Sequence, residues 1–427
     1  MATRRVEWTP VVVLGLSLLI LVLFIVYPLS RTVLNAFLPK GSTFSLANLT
    51  LANFSQFASS ALYRGALRNT LVVGLATVFI SCLLGIPMAW FLARTRMPAK
   101  TLFLSLGTLP LILPPFIGAY SWVLLFGRRG MLTGLIRQWF AIQVPDIYGA
   151  TGVIVALSLS YYPFVLLLTY GALLSADPFI EESAEIMGAS RWRILRTVTL
   201  PLVMPAILAA ALTVFIRAVG NFGVPALLGG NYYVLPTLIY FQVVGYFDLN
   251  AASAIALINV LLVAAAIFAS QRVTAGRSYV TVRSTTREAR ESSSRLLAGI
   301  GIAVCGIIIL LSLLPHLTVV FTSFTEGWSG TQFPKKFSLV NYARFWQIAR
   351  TPLLNSLFLS IVATAIATAT GTLLAYLQVR RGTRFRWVLD LTVMLPFILP
   401  GIIVGVAILV GFSSGLIVLS GTWLRMV

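Results

Sequence analysis

Acidic residues are scarce in this 427-residue chain, with 11 Asp and Glu against 31 Lys and Arg. A transporter driven by a proton or sodium gradient binds its coupling ion on acids within the membrane. Only Asp390 approaches such a place, at the edge of an apolar run, and the nearby Arg384 and Arg386 account for it as a local ion pair. Histidine occurs once, as His316, and cysteine twice, as Cys82 and Cys305. The cysteines lie far apart inside apolar runs, which excludes a disulfide framework and any metal-ligand spacing. An intramembrane enzyme would need a Ser and His pair or paired Asp residues in those runs, and they hold neither. Nothing matches Gly-x-x-x-x-Gly-Lys-Ser/Thr, so the chain carries no P-loop phosphate cradle.

What fills the chain instead is apolar. Hydrophobic residues make up 59%, charged residues 10%, and the mean hydropathy is +0.95, a balance far from that of soluble proteins. The apolar residues gather in runs of about twenty, enough for a helix to cross roughly 30 Å of hydrocarbon with its backbone bonded internally. The fold class is therefore an all-α polytopic membrane protein in a lipid bilayer. Nine spans are expected near 10–30, 68–93, 102–126, 149–174, 202–225, 251–270, 297–320, 355–379 and 388–412.

A net charge of +20 would point a soluble domain toward nucleic acid. Here the basic residues sit in short loops beside apolar runs, so topology explains them and nucleic acid is not a partner. Their bias puts the N-terminus on the cytoplasmic side. The first run follows Arg4 and Arg5 and ends in Val26-Tyr-Pro-Leu-Ser-Arg31, with no small-residue cleavage site, so it reads as a retained span rather than a signal peptide.

The chain repeats itself. Asn69-Thr-Leu matches Asn355-Ser-Leu, and the same offset of 286 pairs Gly85 with Gly371, Ala89 with Ala375 and Arg94 with Arg380. It carries Leu109-Pro110 onto Leu395-Pro396 and Leu113-Pro114 onto Leu399-Pro400. The organisation expected is a first span and outer loop in 1–66, a complete transmembrane repeat in 67–270, a basic cytoplasmic linker in 271–296, a further span and outer loop in 297–352, and a partial repeat in 353–427. The second copy stops before counterparts of spans four to six, which reads as a piece of a longer two-copy chain.

The segment between spans four and five, residues 175–201, has the densest pattern. Asp177 is placed to cap a short helix, with Pro178 in its first turn and Glu181 and Glu182 near its positive end. Gly188 supplies a break. A second helix starts near Ser190 and carries Arg191, Arg193 and Arg196 around Trp192, and Pro201 is expected to begin the next span. Spacing alone leaves two readings open: a helix pair that docks in another protein's groove, or a basic loop at the lipid surface.

Glu182-Ser183-Ala184, Gly188 and Leu200-Pro201 resemble the signature loop of the permeases of binding-protein-dependent ABC importers, departing only in Ser183. The resemblance implies the type I importer fold, as one complete and one partial transmembrane domain. It also implies an ATPase-coupling loop with Glu181, Glu182, Ala184, Gly188, Ala189, Ser190, Arg191, Leu200 and Pro201, in which Gly188 forms the turn and Glu182 makes the contact. Partners would be cytoplasmic ABC ATPase subunits, which hold ATP and magnesium, and a periplasmic or lipid-anchored solute-binding protein. This chain itself would bind no cofactor. The two-copy layout, with Gly220-Asn-Phe-Gly-Val-Pro-Ala-Leu-Leu-Gly229, looks most like the fused permeases of ferric-iron importers. Polyamine, thiamine, sulfate and phosphonate permeases share the loop and remain alternatives, and a secondary ion-coupled transporter is the alternative from another class.

Arg217 falls in span five, where a charge facing lipid would cost about 2.5–3.5 kcal/mol, so it is expected to face the bundle interior. Lining the path, with Asn221 one turn away, would suit an anionic cargo or an anion-chelated metal. Snorkelling or pairing with a carbonyl explains it equally. Pro110 and Pro114 in span three, with Pro396 and Pro400 in span nine, should kink or unwind both helices. Such breaks mark either a moving cavity lining or a static bend.

Overall fold

A computed structural model of the chain describes Gly15, Leu19, Pro334 and residues 22–42, 45–275, 294–326, 336–380 and 399–413. Among these, six helices are long and apolar enough to cross a membrane, or seven if one bent pair counts as a single span. The expected nine are therefore not all present as uninterrupted spans. The first is represented by the shorter apolar helix Val22–Ala36 and the ninth by Gly401–Phe412. Much of both expected spans lies outside the described residues, as do most of the 271–296 linker, Asp390 and Pro396.

The long helices are α1 (Ala61–Arg94), α2 (Ala150–Ser175), α3 (Leu200–Val219), α4 (Leu249–Ala275), α5 (Arg295–Ser323) and α6 (Val340–Arg380). Span five is shifted from expectation. Its helix begins at Trp192 and ends at Val219, because Pro201 does not start a span. A π turn over Leu195–Thr199 precedes it, and the widened ladder takes up the proline, which lacks an N–H and crowds the carbonyl four residues back. Beyond Val219 the chain leaves the helix through Asn221 and Phe222 and forms two short helices, Gly223–Leu228 and Leu235–Tyr240.

Span three is broken as its prolines predict. Lys100–Thr108 runs into a 3-10 turn at Leu109–Leu111, and a new helix starts at Pro115 after an extended Pro114. The pieces meet at 94°. Pro110, Pro114 and Pro115 remove three donors, and each consecutive proline disfavours helical backbone in the residue before it.

The chain forms two compact units. One comprises residues 65–237 and 261–338, and the other 1–64, 238–260 and 339–427. In the first, two buried clusters hold the helices. Val73, Trp122, Val153, Leu157 and Val214 pack in one, and Met88, Leu92, Tyr162, Leu166, Ile207 and Cys305 in the other. Gly85 lets α1 cross α2 closely, since a Cβ there would stand 2.8 Å from Val165 Cβ and 2.9 Å from the Tyr162 carbonyl. The Tyr162 hydroxyl donates to the Gly107 carbonyl at 2.8 Å and lies 3.2 Å from Ser312 Oγ, satisfying a buried polar group as a membrane interior requires.

In the second unit, Tyr27–Ala36 packs against Gly401–Ser413. The Phe412 ring lies 5.8 Å from those of both Phe24 and Tyr27. Asn250 donates to the Asn35 carbonyl, and Gln242 donates to the Tyr63 hydroxyl at 2.7 Å. The most apolar window of α6 is only 6% buried.

Candidate functional site

The expected helix pair forms within residues 175–201. Pro178–Ile186 is capped by Asp177, whose carboxylate accepts from the Phe179 amide at 2.9 Å, as Asp before Pro favours. Its other end closes in a Schellman turn. The Ala189 amide donates to the Ala184 carbonyl at 3.0 Å, the Gly188 amide donates to that of Glu185 at 2.9 Å, and Gly188 sits at φ +83°. Only glycine adopts that backbone without strain. Ala184, Gly188 and Ala189 therefore make the turn through their backbones. Ser190 Oγ then accepts from the Arg193 amide at 3.4 Å, starting the helix Arg191–Ile194.

The tip of the turn is apolar and bare. Ile186 is 87% exposed and Met187 81%, with Trp192 exposed beside them. Two large apolar side chains directly before the glycine of a polar loop are the sequence signal for this knob.

Charge acts behind the knob. Glu181 Oε1 accepts from Arg94 Nη2 at 2.9 Å and from Thr199 Oγ1 at 2.8 Å. Glu181, expected in the loop near the positive end of its helix, thus bonds both to α1 and to the foot of α3. Leu200 is at the surface and Pro201 continues the helix, so the last two loop residues belong to the span rather than to a turn.

The expected path residues fall in two places. Arg217 and Asn221 both run along α2: the Arg217 guanidinium carbon lies 5.7 Å from the centre of the Phe164 ring, and Asn221 Nδ2 donates to the Tyr161 hydroxyl at 2.9 Å. Arg217 is exposed on this chain. A guanidinium over an aromatic face keeps its stem on apolar surface and its charged end toward the exterior of that surface. Asn221 also accepts the Val224 amide at 2.9 Å, capping Gly223–Leu228, so its amide is engaged in holding the break open.

Pro110 borders a small pocket with Pro115, Trp122, Ser312 and His316 at the bend of span three. Pro114 makes the bend itself. Pro400 precedes Gly401–Ser413 and its carbonyl accepts the Ile403 amide at 2.9 Å. Among the described residues, no three His, Cys, Asp or Glu side chains gather where a metal would bind.

Residues 61–277 match the family described as binding-protein-dependent transport system inner membrane component. The chain is 29% identical over 420 residues to the ferric transport system permease protein of Actinobacillus pleuropneumoniae, covering 95% of this chain and 59% of that one. It spans 64% of a Haemophilus influenzae relative likewise named for ferric transport. It is 30% identical over 259 residues to the sulfate transport system permease protein of Escherichia coli, covering 60% of this chain and 88% of that one. Among solved structures, a bacterial alginate ABC transporter in complex with an alginate-bound periplasmic protein superposes with a TM-score of 0.50 at 18% identity, over 65% of this chain and 97% of that one.

Proposed function

The chain belongs to the family of binding-protein-dependent transport system inner membrane components, and from that premise we propose that it is the permease subunit of an ATP-driven importer in a bacterial inner membrane. The observation that carries the reading is the turn at Gly188. It is an exposed apolar tip, fixed by backbone bonds and fastened through Glu181 to the ends of two spans. A rigid protrusion of that kind suits a groove in another protein. The partner is a cytoplasmic ATPase, which supplies the nucleotide and magnesium chemistry that this chain has no P-loop to perform. With the N-terminus inside, the turn faces the cytoplasm, and a solute-binding protein delivers cargo at the opposite face.

Ferric iron is the cargo we favour, on the strength of two relatives named for ferric transport. The sulfate relative supports an oxyanion as the second reading, and the exposed Arg217 over Phe164 suits an anion or an anion-chelated metal equally.

The test is purification of the full-length protein from its own membranes, followed by uptake into cells with and without it. Co-purification of an ATPase and loss of radiolabelled ferric iron uptake on deletion are expected. Loss of radiolabelled sulfate uptake with iron uptake intact replaces the cargo. Absence of any associated ATPase overturns the importer reading.

A further inference from the structure

Arg94, Glu181 and Thr199 come from distant parts of the chain and meet on one oxygen atom. Arg94 ends α1, Glu181 lies in the first turn of Pro178–Ile186, and Thr199 closes the π turn below α3. The Arg94 side chain is 7% exposed, and its Nε and Nη1 are buried without a partner. Placing a guanidinium there is costly, and a buried ion pair is weak evidence of stabilisation. A helix can end on a cation that reaches solvent at far smaller cost. The buried arrangement therefore calls for another reason, and the same residue type stands at the matching place of the repeat, Arg380.

Among the described side chains of the helix Pro178–Ile186, Phe179 to Ile186, none is buried, so packing does little to fasten it to the spans. Charge-assisted hydrogen bonds, about twice as strong as neutral ones, must carry more of that attachment. We propose that Arg94 is a positioning residue for energy coupling: through Glu181 it fastens the turn at Gly188 to the ends of α1 and α3, so that a displacement of residues 178–190 moves both spans together. This inference rests on the importer reading above. Without the tie, the ion pair that joins Pro178–Ile186 to the end of α1 is gone, and a push at the tip of the turn is transmitted less fully to that span.

Hydrogen exchange read by mass spectrometry tests it on the full-length protein with its ATPase in lipid, nucleotide-free and trapped with ATP and vanadate. In the wild type, amides in 178–190, 89–96 and 195–203 should change protection together on trapping. In Glu181→Gln and Arg94→Gln, the change in 178–190 should persist while that in 89–96 is lost. Thr199→Val should lose the response of 195–203 and spare 89–96, and Arg94→Lys should retain both. A purely structural role would raise exchange equally in the two nucleotide states. That result, or an unaltered response in Glu181→Gln, overturns the proposal and leaves the importer reading standing. A wild-type protein holding no ATPase removes the importer reading and this proposal with it.

Discussion

Arg94 and Glu181 are unequally buried partners, the cation keeping 7% of its side chain in solvent and the anion 21%. Removing the anion strands a guanidinium that already has two unpaired nitrogens, whereas removing the cation leaves a carboxylate that water reaches. Glu181→Ala should therefore cost about 3–5 kcal/mol and Arg94→Ala distinctly less, since the penalty follows the charge left buried. Thermal unfolding of the purified variants in one detergent measures the order. Equal losses would mean that the burial difference is of no consequence.

Gly188 stands at φ +83° with open space around its missing Cβ. A side chain there meets no neighbour, so the only penalty is backbone strain, roughly 1 kcal/mol for alanine and less for asparagine. Gly188→Ala should weaken ATPase retention during purification while leaving the melting temperature nearly unchanged. Gly188→Asn should recover part of that retention.

Gly85 and Gly371 are counterparts across the repeat, yet their surroundings differ. A Cβ on Gly85 would collide with Val165 and the Tyr162 carbonyl, and one on Gly371 would touch nothing. Gly85→Ala should lower stability by about 1–3 kcal/mol, as overpacking does, whereas Gly371→Ala should be silent in this chain. Thermal unfolding of the two variants measures the contrast, and destabilisation by Gly371→Ala would mean that another helix covers α6 where Gly371 lies.

Asn221 donates to Tyr161 and accepts from Val224. Asn221→Ala should loosen the break after α3 at a cost of about 1 kcal/mol, typical of a lost cap, and it should lower stability without altering which cargo competes for uptake. Asn221→Asp keeps the acceptor, and the Tyr161 hydroxyl can donate to it in turn, so transport should persist. A change of cargo preference in either variant would give Asn221 a direct part in the translocation path beyond its capping bonds.

What the sequence revealed was what is decided locally. Asp177, Pro178 and Gly188 each act within five residues, and their cap, first turn and Schellman closure were all legible. The break at Pro110 and Pro114 was legible for the same reason. The tie between Arg94 and Glu181 was not, because it joins residues 87 apart and nothing in either neighbourhood names the other. Its only trace was the recurrence of an arginine at Arg380. Span five was misjudged at both ends: Leu200-Pro201 looked like a helix start when a π turn carries the helix through it, and the apolar Gly220–Gly229 stretch concealed an exit that Asn221 caps. For Arg217, the cost of charge in lipid shows only that it must avoid hydrocarbon. It does not show which surface supplies the refuge.

The unbroken passage of Trp192–Val219 through Pro201 turns that segment into a lever. Its 28 residues make a rod about 40 Å long at the α-helical rise. The foot of the rod carries Thr199 and the turn at Gly188, and its head carries Arg217 with Asn221 just beyond. A tilt of only about 5° about the foot of a rod that long swings the head by roughly 3.5 Å, about two thirds of the pitch of one helical turn. A small angular adjustment at the turn around Gly188 is thus geared up at the far end, beside Phe164 and Tyr161, where the candidate path residues stand.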